Sequence, residues 1–163
     1  MKPLAIGIFG VGIVAALVVV AKIRQKPHEW LSRDGVWSIS CPAGWSAELN
    51  SDGALNIGTP DSEGAVTISC YDRPGGDAAK LYPFIAKVTA HWNPVVPEKK
   101  TETEMTGEFV DPTISPARHV LVKAMHIKKH FVFITANDLD SRFEDSRAEF
   151  DRVIASFKWR VVE

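Results

Sequence analysis

The chain has 163 residues, 45% of them hydrophobic and 24% charged, with a formal net charge of −1, which is material for one globular domain with its own core. Residues 1–26 hold four of the 19 basic side chains (Lys2, Lys22, Arg24 and Lys26) and none of the 20 acidic ones, so the remainder is net acidic. That balance argues against nucleic acid as a partner, since phosphate binding needs a clustered basic surface that the domain does not advertise.

The first element is PLAIGIFGVGIVAALVVVA, residues 3–21, a run without a charged side chain. Its length is close to the roughly 20 residues that a helix needs to cross hydrocarbon. A cleavable signal peptide would have a shorter apolar core and a polar stretch before the cut, and three basic residues would not follow at once. Residues 1–26 therefore read as a transmembrane anchor with a basic flank, which makes the lipid bilayer an expected partner of a single-pass membrane protein. Lys22, Arg24 and Lys26, with Trp30 just beyond them, are the expected membrane-interface residues. Together with Arg33 these cations outnumber Lys2 and the terminal amine, and the imbalance favours a domain on the cytoplasmic side. Two cysteines in a small tethered domain suit an oxidising compartment instead, so a periplasmic or extracellular placement stays open.

Residues 27–35 read as a connector and 36–160 as the folded domain. Val36–Cys41 alternates apolar residues with serines and runs into Pro42 and Gly44, the pattern of a half-buried strand entering a turn. Residues 54–57 and 65–71 are two further strands, separated by the turn formers of GTPDSEG. Leu81, Phe84, Ile85, Val88 and Trp92 fall at helical spacing behind an N-cap candidate at Asp77, and Pro83 is placed to mark the first turn. Residues 99–109 alternate threonines with charges, as an exposed strand near a sheet edge does. Residues 118–127 and 130–136 form a hairpin with Lys128 and Lys129 at its tip; the second arm is the more hydrophobic and is expected to be central. Asp140 or Ser141 caps a last helix whose Phe143, Phe150, Val153, Ile154 and Phe157 make an apolar stripe. About six strands and two amphipathic helices imply an α+β domain with helices packed on a mainly antiparallel sheet, behind one transmembrane helix.

The opening WSISCPAGW and the closing FDRVIASFKW, in this order of elements, resemble the PsbP-like superfamily, which includes extrinsic proteins of photosystem II, DcrB-type lipoproteins and chaperone domains of type VI secretion. Pro42, Gly44 and Trp45 match the end of the first strand in that group, and Ser156 and Phe157 the end of its last helix. The resemblance covers residues 36–159 and implies an α/β/α sandwich, a binding or assembly role, and no shared catalytic residue.

Cys41 and Cys70 close two of the expected strands. A disulfide between them requires those strands to lie side by side with Cα atoms within about 7 Å; otherwise both are core thiols. Neither belongs to a CxxC motif. His126 and His130 flank the hairpin tip and would supply two metal ligands if they faced each other, but no third is at hand, HExxH is absent, and Lys128 and Lys129 repel cations. PGGD at 74–77 lacks the lysine and hydroxyl of a phosphate loop, and no GxSxG elbow is present. We therefore expect no catalytic residue, metal or cofactor. The expected function is that of a membrane-anchored, non-catalytic accessory domain that binds another protein, as an assembly factor, chaperone or immunity-type protein. The competing reading is a tethered enzyme or metal-binding domain using His126, His130 and nearby acids. Trp45 and Trp92 would mark a partner surface if they were exposed among apolar neighbours.

Overall fold

The computed structural model describes residues 26–72 and 80–160. The expected anchor, with Lys22 and Arg24, and the cap candidate Asp77 lie outside the described residues. Among those described, no helix is long and apolar enough to cross a membrane.

Among the described residues, ten strands form two antiparallel sheets. The smaller has the order β1-β2-β10, built from His28–Leu31, Trp37–Cys41 and Lys158–Trp159. The larger has seven strands in the order β3-β4-β5-β9-β8-β7-β6. In chain order these are Ser46–Leu49, Leu55–Gly58, Ala65–Asp72, Asn93–Lys100, Glu104–Asp111, Arg118–Ile127 and His130–Leu139, numbered β3 to β9. Helix α1 is Leu81–Val88 and α2 is Phe143–Ala155, the latter entered through a 3₁₀ turn at Asp140–Arg142.

The pattern of β9 shows how the layers arise. Phe131 and Phe133 point to one face of the large sheet and Val132, Ile134 and Ala136 to the other, and all five are buried. A strand apolar on both sides needs cover on both sides, and β9 is the middle strand of the seven. Helix α1 supplies one cover by placing Leu81 and Ile85 against Phe109, Val120, Val122, Phe131 and Phe133. The other cover is shared by α2, through Phe143, Phe150 and Val153, and by the small sheet, through Trp37, Ile39 and Cys41. Burying a side chain of this size contributes about 1.5–3 kcal/mol, so Phe143 and Phe150, neither accessible to solvent, hold α2 in place.

The expected strands at 36–41, 54–57, 65–71, 118–127 and 130–136 appear with ends shifted by a few residues. Four differences stand out. The connector at 27–35 carries β1, which pairs with β2 from His28↔Cys41 to Leu31↔Ser38. Residues 99–109 are not one exposed strand: they hold the end of β6, a turn at 101–103 and most of β7, because Thr101 accepts the Glu104 N–H and reverses the chain. The edge strand is β6, while β7 lies inside the sheet. Short strands β3 and β10 also appear, too brief to show a period. Beyond Cys41, Gly44 adopts φ +79° and the Trp45 N–H donates to Pro42 O at 3.2 Å, so the chain turns back where a glycine is required.

Candidate functional site

Two concave surfaces and one buried ionic cluster stand out. The larger surface is a groove of about 750 Å³ at one end of the gap between the sheets. Its wall is a row of indoles on the core-facing side of the small sheet. Trp37 opposes Trp159 across β2 and β10, and Trp30 stacks on Trp37 with centroids 5.4 Å apart. His130 packs against Trp159 at 4.8 Å, and Cys70 and Leu49 complete the large-sheet side. Arg33 and Asp34 stand at the turn between β1 and β2. The Ser32 hydroxyl donates to Asp34 Oδ1 at 2.7 Å and holds that carboxyl below its ordinary range, helped by the Val36 N–H and by His130 nearby.

The second surface, of about 620 Å³, runs along β6 and is lined by Ala86, Trp92, Pro94, Val95, Val96 and Phe109 among others. Trp92 is half-buried against Phe109, with centroids 5.9 Å apart, while Val95 and Val96 on the sheet edge are 48% and 44% exposed. Pro94 and Pro97 remove two backbone donors from this edge. The expected partner pair thus separates. Trp92 has exposed apolar neighbours, whereas Trp45 is 7% exposed in the core, edge-on to Phe150 at 5.9 Å.

The cysteines are thiols on strands of different sheets, so the side-by-side arrangement that a disulfide requires is not formed. Burial pushes the Cys41 thiol up, and its Sγ faces the Trp45 carbonyl at 3.6 Å, which describes an unreactive core thiol. The two hairpin histidines do not face each other. His126 is paired with Phe131 and contacts its ring on the α1 side of the sheet, whereas His130 is paired with Ile127 and lies on the opposite side, toward Trp159. One residue of offset in an antiparallel ladder reverses the face, and this removes the two-ligand arrangement on which the metal reading rests. Among the described residues no group of three His, Cys, Asp or Glu side chains is placed to hold a metal ion.

The sequence reading missed a cluster centred on Glu108. Arg147 of α2 grips this carboxylate with both Nη atoms, at 2.5 and 3.0 Å, and His119 Nε2 lies 2.8 Å from Oε1. The other imidazole nitrogen faces Asp140 at 3.0 Å, and the ring lies flat on Phe143 with centroids 3.9 Å apart. Arg147, and after it His119, holds the Glu108 carboxyl below its ordinary range. Glu108 and His119 are 8% exposed. The cluster reads as a clip that fixes α2 to β7 and β8. A signal was available: Glu108 is cross-strand from Leu121, and His119 lies two residues before it, so both occupy the phase that faces α2.

No protein-family model matches the sequence, and no curated protein sequence does either. Solved structures do match. The cyanobacterial PsbP protein CyanoP of Synechocystis superposes with a TM-score of 0.59 at 14% identity, over 98% of this chain and 100% of that one. The Ran-binding protein Mog1p of Saccharomyces cerevisiae gives 0.56 at 10% identity, over 82% of this chain and 95% of its own. LpqN of Mycobacterium tuberculosis, described as involved in cell envelope biogenesis, gives 0.52 at 14% identity, over 82% and 90%. Identities this low speak to architecture alone, and that architecture is the PsbP-like fold.

Proposed function

We propose that the chain is a membrane-anchored, non-catalytic accessory protein whose domain binds another protein at the groove beside β6. The carrying observation is the run of apolar surface on an edge strand: Val95 and Val96 are exposed, and Trp92 and Phe109 form the floor behind them. Water-facing valines on an open edge are a liability unless something covers them. The prolines at 94 and 97 weaken the edge as a hydrogen-bonding template, so the partner is held by side-chain packing in the groove rather than by an added strand. A role in assembly, as a chaperone or in immunity, accords with a fold also found in a Ran-binding protein and in a protein of envelope biogenesis. The anchor at residues 3–21 brings the domain to the bilayer, and the flanking charges favour its cytoplasmic face.

A photo-crosslinking residue at position 95 or 96 of the full chain, in its own cell, tests this reading. Adducts to a defined protein from both positions, lost in Trp92→Ala and absent with the probe at Asp52, support it. No adduct from either position overturns it. Reporters fused at Glu163 that are active on only one side of the membrane settle the orientation independently.

A further inference from the structure

The tryptophan groove is far from β6 in the order of the sheets and is absorbed by no part of the reading above. Its mouth carries a second pattern. Leu49 in its lining is 50% exposed, and Trp30 and Trp159 are only half-buried. Exposed cations stand nearby: Arg33 on the rim, and Lys128 at the tip of the hairpin that carries His130. Asp34, the acid on this rim, is engaged by Ser32 and Val36. Half-buried indoles and a solvent-facing leucine beside exposed cations have the composition of a membrane-interface surface.

The chain's own connectivity names the occupant. We infer that this face docks on the bilayer that holds the anchor, with Trp30, Trp159 and Leu49 in the interfacial layer and Arg33 and Lys128 against anionic headgroups. The inference rests on the anchor proposed above. The six residues between Ala21 and His28 reach about 20 Å when extended. The four-residue strand β1 spans only about 13 Å, so the tether is long enough for the far end of β1 to fold back onto the surface. So short a link keeps the groove at high effective concentration beside the lipid, and weak contacts suffice to seat it. Docking here leaves the β6 groove, at the other edge of the large sheet, available to a protein partner.

The test reconstitutes the full chain in vesicles of phosphatidylethanolamine and phosphatidylglycerol with brominated acyl chains, which quench nearby indoles. Residues 1–26 contain no tryptophan, so the anchor itself is silent. The expected result is strong quenching that is mostly lost in the Trp30→Phe, Trp159→Phe double variant and kept in Trp92→Phe. Arg33→Glu, at an exposed position that leaves the core untouched, lowers the docked-to-undocked ratio on the order of tenfold in anionic vesicles without changing the circular dichroism. A chain that resists alkaline extraction from the vesicles but is unquenched, or whose quenching ignores both the double variant and Arg33→Glu, overturns the inference and leaves the anchor standing. A chain that alkali strips from the vesicles overturns the anchor and the inference together.

Discussion

Glu108 and Arg147 stand 39 positions apart in sequence and meet in a two-pronged ion pair that joins β7 to the middle of α2. Phe143, one turn earlier on the helix, packs against both the His119 ring and the Arg147 guanidinium, whose carbon is 4.9 Å from the Phe143 centroid. One phenyl ring, one imidazole and one guanidinium are therefore organised around a single buried carboxylate. Removing Arg147 leaves that carboxylate with half its partners in a place poor in water. For Arg147→Met we expect a loss of about 1–3 kcal/mol, the lower part of the range reflecting a guanidinium that is itself partly solvated. Adding Glu108→Gln to Arg147→Met recovers part of the loss, because the unpaired charge is gone. Denaturant unfolding of the four chains in detergent, read as a double-mutant cycle, checks both statements.

Acid should loosen the same contact. The folded-state pKa of Glu108 lies below its ordinary 4.5, and those of Asp61 and Asp34 lie below 3.8. The Thr59 hydroxyl and then Arg142 hold Asp61 low, as the Ser32 hydroxyl holds Asp34. Carboxyls depressed in the folded state bind fewer protons there than when unfolded. Their contribution is complete above the ordinary values and is lost as pH falls through the folded ones. Melting temperature is therefore expected to be flat in these groups from neutral pH down to about 5, and to drop below it. The drop is shallower in Glu108→Gln, whose side chain has no proton to gain. An identical acid limb in the variant would remove Glu108 from the account.

The sequence showed the layers more clearly than the contacts between them. β9 was legible as central because HFVFITA is apolar in both phases, and α2 because its phenylalanines and Val153 fall on one face. β1 was not, because HEWL is four residues with a glutamate and a histidine, and it is a strand only by virtue of its pairing with β2. The Trp30–Trp37–Trp159 wall was also out of reach: it joins the first hairpin to a two-residue strand more than a hundred positions later. The histidine pair failed for a local reason. The hairpin tip was placed correctly, but the face of each histidine depends on which residues are cross-strand partners, and the turn decides that register.

Gly64 offers a test of packing between the loop before β5 and α2. A Cβ built there meets Phe150 Cζ and Thr59 Cγ2 at 3.0 Å and Asp138 Oδ2 at 3.2 Å. Thr59 is tied to the same loop: its hydroxyl donates to Asp61 and accepts the Gly64 N–H at 2.9 Å. Asp138 is fully buried and accepts the Ser146 hydroxyl at 2.6 Å. None of these neighbours is a flexible tip, so Gly64→Ala forces a shift and is expected to cost about 1–3 kcal/mol. Phe150→Leu in the same chain makes room for the methyl group. The two substitutions together should then cost less than the sum of their separate costs, a prediction that denaturant midpoints decide.

The cysteines separate by access rather than by redox state. Cys41 is fully buried with its thiol pushed up by burial, whereas Cys70 is partly exposed and lines the tryptophan groove. Thiolate is the reacting species, so a site that both excludes the reagent and disfavours the anion reacts slowly on two counts. In the native full chain a small alkylating agent should modify Cys70 well before Cys41, with both reacting together once denaturant is added. Mass spectrometry of the peptides reads the order directly. Bilayer docking of the groove adds a finer expectation: Cys70 is labelled more slowly by a charged reagent in anionic vesicles than in detergent, and Arg33→Glu restores the detergent rate. Equal labelling of the two thiols in the folded chain would contradict the burial of β2 against α2, and with it the placement of the small sheet.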